Sequence, residues 1–316
     1  MEYSIITNCS SRKRNNGVDP LVPSLIGTVG IKDLLNEWLK QIKRSQVRVA
    51  PLDLYQGRSI AECRFAARLT AADFYVISAG LGLVSANDQV PNYSLTISEG
   101  NGSLQRWLSA QGATSMDWWN GLSDAMGTPT PISSLVNSQS DNSRILIALP
   151  ARYMEMISAD LALVHQNRLE IVRIFTSNAG IKHVPSRLLE TVMPYDERLE
   201  GVANHDGTRS DFPQRALKHF IAHLHAQELS MEDARKQVLA AMTKSVKRTI
   251  PTRVKAPDER IAELIRTHWN SYDGSASKLL RFLRDDANVA CEQSRFSGIW
   301  RKIKDDQSSI KGTLHA

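Results

Sequence analysis

Short apolar runs punctuate the chain at Tyr3–Thr7, Phe74–Ser78, Arg144–Leu149 and Ile171–Thr176. Each is bounded by turn residues and is apolar enough to be buried on both faces, which is how parallel strands read. Arg48-Val49-Ala50-Pro51-Leu52 adds a candidate edge strand. Between the runs, apolar residues recur at helical spacing over Ile31–Lys43, Ser59–Leu69, Ser103–Leu108 and Met154–Asn167. Strand alternating with helix predicts an α/β class: a doubly wound, mostly parallel sheet of four to five strands. No internal repeat is visible. Trp118-Trp119 reads as core.

From Asp211 onward the pattern turns helical. Phe212-Pro213-Gln214-Arg215-Ala216-Leu217-Lys218-His219-Phe220 opens one helix, and Ser230-Met231-Glu232-Asp233 starts another with an N-cap serine and an acidic first turn. Residues 244–257, cationic and carrying Pro251 and Pro257, read as a linker. It is either a tether lying on phosphates, through Lys247, Arg248 and Arg253, or a solvated connector. Asp258 to Lys304 then shows three helices: one with Ile261, Leu264 and Ile265 on a face, one beginning at Gly274-Ser275, and a basic one over Glu292–Ile303. Helix, turn, helix, short connection and basic helix is a helix-turn-helix arrangement, with Ser294, Arg295, Arg301 and Lys302 facing a DNA groove. The plainer account is a small helical cap with a solvated basic face. The expected division is 1–210 for the α/β domain, 211–257 for a helical extension and linker, 258–304 for the DNA-binding domain and 305–316 for a tail.

Charge sharpens this picture. The 316 residues include 39 Lys+Arg against 33 Asp+Glu, a net charge of +6, which favours an anionic partner, nucleic acid being the commonest. Cys9, Cys63 and Cys291 lie far apart without CxxC spacing, so neither a disulfide framework nor a zinc ribbon is indicated. His219 and His223 share a helix face and His225 follows, but no HExxH glutamate accompanies them; they read as a surface helix, with no metal and no cofactor expected. No apolar run reaches about 18 residues and no signal-peptide core opens the chain, so a cytoplasmic protein with no membrane partner is expected.

Candidate chemistry gathers where strands end, the edge at which open α/β sheets bind ligands. The first strand runs into Asn8-Cys9-Ser10-Ser11-Arg12-Lys13-Arg14. Asn8 can orient a water or a substrate heteroatom, or close an Asx turn. Ser10, Ser11, Lys13 and Arg14 can donate to phosphate, though without a nucleotide-hydrolase P-loop pattern. Cys9 has no assignable histidine partner and reads as a strand-end thiol lining the pocket. Asp53-Leu54-Tyr55-Gln56-Gly57-Arg58 offers a carboxylate to act as base or to steady positive charge, a phenol, and a cation before a helix; an Asp–Arg pair stiffening a loop is the plainer account. The second strand ends at Ser78-Ala79-Gly80, small residues that let a ligand approach the backbone. Tyr93 can stack on a base or simply pack. After the last strand come Ser177, Asn178, His183 and Arg187, polar groups on the same side of the sheet.

Two of these segments, with a third, carry a resemblance. Cys9-Ser10-Ser11-Arg12-Lys13, then Leu54-Tyr55-Gln56-Gly57, then Ile77-Ser78-Ala79-Gly80-Leu81-Gly82-Leu83 together resemble the uracil-DNA-glycosylase superfamily, nearest to Brig-type anti-phage glycosylases that excise glucosylated hydroxymethylcytosine. The resemblance covers roughly the first 200 residues. It implies an enzyme that flips a modified base out of double-stranded phage DNA and hydrolyses its N-glycosidic bond, leaving an abasic site. It implies that Asn8 positions the attacking water and that Ser177, Asn178 and His183 sit where a later His-containing loop contacts the base carbonyl or phosphate; on the same hypothesis Asp53 or nearby phosphates steady the sugar, and Cys9, Ser10, Tyr55, Ser78, Gly80 and Tyr93 are the further candidates for the base pocket. Phosphate contacts would come from Ser11, Lys13, Arg14, Arg58, Arg187 and the C-terminal cations. No Gly-x-Asp-Pro-Tyr or Gly-x-Asn-Pro-Gly sequence is present, and His183-Val184-Pro185-Ser186 is a loose counterpart of a His-Pro-Ser loop.

Two other functions fit the same residues. One is a glycosyl hydrolase or transferase acting on nucleotides or tRNA, with Asp53 or Glu62 as nucleophile. The other is a non-catalytic DNA-binding regulator whose α/β domain senses a small ligand. No obligate protein partner is evident.

Overall fold

The four apolar runs pair into one sheet, with the first at its centre. In the computed structural model, which describes residues 1–14, 17–25, 30–97, 103–246 and 252–313, the strands are β1 (Glu2–Asn8), β2 (Asp73–Ser78), β3 (Gly82–Ser85), β4 (Ser143–Ala148) and β5 (Val172–Phe175), in the order β3-β2-β1-β4-β5. β1 is parallel to both neighbours, with Ile5 opposite Phe74 on one side and Leu146 on the other. β5 is parallel to β4, while β3 folds back antiparallel on β2. Burial on both faces explains the near-continuous apolar runs: Ile5, Ile6, Ile145 and Ile147 are all fully buried. The α/β class and the mostly parallel sheet are therefore those expected from the pattern.

The helices are α1 (Ile31–Arg44), α2 (Pro51–Leu54), α3 (Arg58–Thr70), α4 (Leu104–Ala110), α5 (Ser115–Ala125), α6 (Pro131–Ser138), α7 (Ala151–Met156), α8 (Ser158–Leu161), α9 (Asn178–Ile181), α10 (Phe212–Ala222) and α11 (Met231–Lys244). α3 and α10 pack on each other and on the sheet, and α1 packs on α5. Two expectations change here. The edge strand at 48–52 does not form: Val49 makes a lone bridge to Val90, and Pro51, a good first helical residue, opens the α2 turn instead. The helix expected over 154–167 is broken at Ile157 into α7 and α8. The break serves Asp160, whose buried carboxylate accepts from the Ile132 and Ser133 N–H groups at the start of α6, from Ser133 Oγ and from Trp119 Nε1.

Two compact units divide the chain, Met1–Arg248 and Thr249–Ala316. The boundary expected at 210 falls inside the first, because Phe212, Ala216, Leu217 and Phe220 of α10 and Val238 and Met242 of α11 complete its apolar core. Ser230 caps α11 by accepting from the Asp233 N–H at 3.2 Å. The second unit holds the three expected helices, α12 (Asp258–Thr267), α13 (Ala276–Asp285) and α14 (Gln293–Thr313). Ile261, Ile265, Leu279, Leu283, Phe296 and Ile303 close around one another as its core. It also contains a short parallel pair, β6 (Val254–Lys255) with β7 (Val289–Ala290), so that part of the expected linker is folded structure. No helix among the described residues is long and apolar enough to cross a membrane.

Candidate functional site

The three sequence segments singled out above meet at the C-terminal end of β1 and β2. β1 hands its chain to the loop 9–14, which is pinned to the segment after α2 by main-chain bonds: Arg14 N–H to Leu54 O and Gln56 N–H to Arg12 O, both 2.9 Å. Ser10 Oγ reinforces the junction at 2.6 Å from the carbonyls of both Arg12 and Gln56. Ser10 is thus a clasp between two loops. Cys9 N–H donates to Ile77 O at 2.9 Å, tying the same loop to β2.

A buried tyrosine cluster fills the angle so formed. Tyr55, Tyr93 and Tyr153 are all buried, and Cys9 Sγ lies 3.1 Å from Tyr153 Oη. Ser78 Oγ accepts from the Gly80 N–H at 3.1 Å and the Leu81 N–H at 2.9 Å. Its hydroxyl also lies 2.6 Å from Tyr93 Oη, and Tyr93 Oη lies 2.9 Å from Tyr55 Oη, so the three hydroxyls form one hydrogen-bonded chain. Burial first, then the neighbouring Cys9, pushes all three phenol pKa values up, so the tyrosines stay neutral. Lys13 lies across the top, its Nζ 4.1 Å from the centre of the Tyr93 ring, a cation–π distance. Burial lowers the pKa of this ammonium, against a smaller opposing effect of Cys9.

The turn joining β2 to β3 is held by two tryptophans. Trp38 Nε1 donates to Gly80 O at 2.6 Å and Trp118 Nε1 to Ala79 O at 2.7 Å. Gly80 is small for a different reason than the sequence suggests. A Cβ there would lie 2.9 Å from Tyr93 Cε2 and 3.2 Å from Trp38 Cζ2, so the backbone is approached by these rings, not by a ligand.

On the β4 side of β1, Gln214 at the start of α10 reaches over the sheet edge. Its Nε2 lies 2.8 Å from Asn8 Oδ1, 3.0 Å from Ala148 O and 3.1 Å from Thr7 Oγ1. Asn8 Nδ2 donates to Cys9 O at 2.8 Å. Asn8 is therefore fixed in orientation while one of its N–H groups and one of its lone pairs remain without a partner among the described residues, enough to hold a water.

The other expected residues fall differently. Asp53 is exposed on the α2 turn, and no hydrogen bond or ion pair among the described residues holds its carboxylate. Arg58 is drawn to carboxylates, with Nε 3.1 Å from Glu62 Oε1 and 4.0 Å from Asp211 Oδ2, rather than left free for phosphate. Glu62 is buried between Arg58 and Lys218, the latter at 2.7 Å, and so is a bridge between α3 and α10. Ser11 and Arg14 are exposed on the 9–14 loop. After β5, Ser177 and His183 are half-buried, and Asn178 and Arg187 are exposed. None of these four is bonded to the tyrosine cluster.

Of the three histidines, His223 and His225 are exposed as expected and one differs. His219 is buried, not on the surface, and its Nδ1 lies 2.9 Å from Tyr195 Oη. It packs against His205 and His223 at ring-centre distances of 5.1 and 5.5 Å. Burial and the other two histidines bring its pKa down to about 4. No group of three potential metal ligands among the described residues is arranged to hold an ion.

In the second unit, Arg253, Lys255, Arg284 and Arg295 line a cleft of about 560 Å³ with Cys291 and Glu292. Arg253 pairs with Asp285 at 2.9 Å and Arg295 with Asp258 at 2.5 Å, so Arg295 secures the fold rather than facing outward alone. Arg301 and Lys302 are exposed on α14. Lys247 and Arg248 lie outside the described residues.

Tyr153 and Gln214 are the participants that sequence reasoning missed. Tyr153 follows the end of β4 by five residues, the strand-end position that led to Asn8, Ser78 and Ser177, and the same rule would have found it. Gln214 lies on a helix distant in sequence, and nothing local marks it. Compared with protein-family models, with curated proteins and with solved structures, the chain matches none.

Proposed function

We propose that this protein is a DNA glycosylase that hydrolyses the N-glycosidic bond of a modified base, the best candidate being glucosylated hydroxymethylcytosine in phage DNA, as a defence against infection. One observation carries the reading: the Cys9–Lys13, Leu54–Gly57 and Ile77–Leu83 segments, distant in sequence, converge on one cluster at the sheet edge where α/β enzymes bind ligands. On this reading the target nucleotide leaves the helix stack and enters at the end of β1. Asn8, its carboxamide fixed by Gln214, presents its remaining N–H and lone pair to a water that attacks the anomeric carbon. The sugar acquires oxocarbenium character, and since the tyrosine cluster contains no carboxylate, its positive charge falls to the DNA phosphates. The exposed cations Arg301 and Lys302 and the cleft around Lys255 supply affinity that does not depend on sequence.

The test is base release. Purified protein is incubated with unmodified, uracil-containing, hydroxymethylated and glucosyl-hydroxymethylated duplexes, and free base and alkali-labile sites are measured. Release from a modified duplex supports the reading. Hydrolysis of free nucleotides alone, with DNA untouched, replaces it with a metabolite hydrolase.

A further inference from the structure

The arginines that line the cleft of the second unit are held in place by main-chain carbonyls. Arg253 Nε donates to Arg284 O at 2.7 Å. Arg284 donates to Cys291 O through Nε at 3.2 Å and Nη2 at 2.9 Å, and Arg295 Nη2 donates to Ala256 O at 2.9 Å. Asp285 and Asp258 take further donors of Arg253 and Arg295. In all three guanidinium groups Nη1 is left without a partner among the described residues. Pairing of β6 with β7 sets Lys255 opposite Ala290 in the same cleft, and its ammonium has no partner among the described residues. The one carboxylate in the lining, Glu292, immediately precedes α14, the helix end where the backbone dipole favours an acid. Splinted guanidinium forks beside an unpaired ammonium are a preorganised receptor for phosphate oxygens, since the side chains are ordered before a ligand arrives. The cleft, about 560 Å³, has room for more than a lone ion. Its only apolar lining residues are Ala290 and Cys291, and no aromatic ring is among them, so a base has nothing to stack on. What fits is a phosphodiester backbone passing through, not a nucleotide recognised by its base.

We propose that this cleft is a clamp for the DNA backbone, in which Lys255 and the free Nη1 groups of Arg253, Arg284 and Arg295 contact phosphate oxygens. The clamp rests on the DNA reading given above and deepens it by naming where the second unit holds its partner. The main contact is then the cleft beside β6 and β7, ahead of Arg301 and Lys302 on α14, whose exposed side chains no carbonyl holds in place. Contacts to phosphate carry no sequence information, so the clamp adds affinity equally on any duplex.

Duplex binding by the full-length protein tests this without turnover. Fluorescence anisotropy on two labelled duplexes of unrelated sequence gives the slope of log affinity against log salt, with deoxycytidine 5′-monophosphate added as a competitor. Lys255→Gln removes a side chain that bonds to nothing in the fold, so it leaves folding intact; Lys255→Arg keeps the charge. Lys255→Gln should reduce the magnitude of the slope by about 1 on both duplexes, and adding Arg284→Gln should reduce it by about 1 more. Lys255→Arg should keep the wild-type slope, and Arg301→Gln should change it by less than about half as much as Lys255→Gln. The mononucleotide should not displace either duplex. An unchanged slope in Lys255→Gln, a larger effect of Arg301→Gln, or no duplex binding by the wild type overturns the clamp. So does a loss confined to one sequence, which would mean a contact to base edges. Displacement by the mononucleotide, abolished in Lys255→Gln, would assign the cleft to a free nucleotide instead. Lys255-dependent binding without base release from any duplex leaves the clamp standing and removes the glycosylase reading; base release with an unchanged slope in Lys255→Gln does the reverse.

Discussion

Among single residues, the site is defined by which polar groups already have partners. Asn8 is legible as a candidate from its place at a strand end, and the structure adds that Gln214 fixes it. Asp53 looks equivalent in sequence, yet it sits exposed on a helical turn, because Pro51 converts the expected strand into helix. His219 misleads in the opposite direction. Its one-face spacing with His223 suggests a surface, whereas Tyr195 and His205 cover it. That burial has a consequence for stability. The His219 pKa is about 4 when folded, below its ordinary value of 6.5, so the unfolded chain binds a proton more readily. Stability from this neutral imidazole is fully present above about pH 6.5 and is lost as pH falls toward 4, by up to about 3 kcal/mol. His205, also lowered by burial, adds to the same trend; Glu62, Lys218 and His223 act on its charge. Urea midpoints measured from pH 7.5 to 4.5 should therefore drop less steeply in His219→Phe than in the wild type. An identical slope would mean that other groups carry the acid sensitivity.

Among the elements, Asp160 shows how a buried side chain constrains the course of a helix. The pattern from Met154 to Asn167 has helical periodicity throughout, and a local reading continues the helix. Four hydrogen bonds from α5 and α6 pull the chain out of that course at Ile157, a tertiary demand that no window of sequence contains. Asp160→Ala removes the acceptor and leaves buried N–H groups at the start of α6 unmatched. It should cost about 3 kcal/mol or more in urea denaturation. For comparison, Asp117 closes an exposed capping box with Thr114 at the start of α5, and Asp117→Ala should cost about 1 kcal/mol. Equal losses would show that Asp160 is no more than another cap. By contrast, the four parallel strands are readable from composition alone, since burial on both faces leaves no room for polar alternation. β3 is not, because a four-residue antiparallel return looks like the tail of β2 until Gly82, at φ +72°, turns the chain.

Taken as one molecule, the chain is two folded units with separate cores and a surplus of positive charge. The three C-terminal helices are visible in the sequence, but their limits are not: β6 draws Val254 and Lys255 into the fold, and α10 belongs to the first core. If the second unit supplies nonspecific DNA affinity, removing residues 249–316 should weaken duplex binding and flatten its salt dependence. The slope of log affinity against log salt between 50 and 200 mM should fall by roughly 2 to 4 in magnitude, about one for each phosphate no longer neutralised. An unchanged slope would assign DNA binding to the first unit alone.

If the end of β1 is where a base is cut from DNA, Asn8 rather than Asp53 stands at the chemistry. Single-turnover base release from glucosyl-hydroxymethylated duplex, compared among wild type, Asn8→Ala and Asp53→Ala, addresses this most directly. Release is expected from the wild type, with a fall of about 100-fold in Asn8→Ala. Asp53→Ala should keep a rate within about threefold of wild type, as befits an exposed side chain outside the site. No release by the wild type, or an Asp53→Ala variant as inactive as Asn8→Ala, would contradict the assignment.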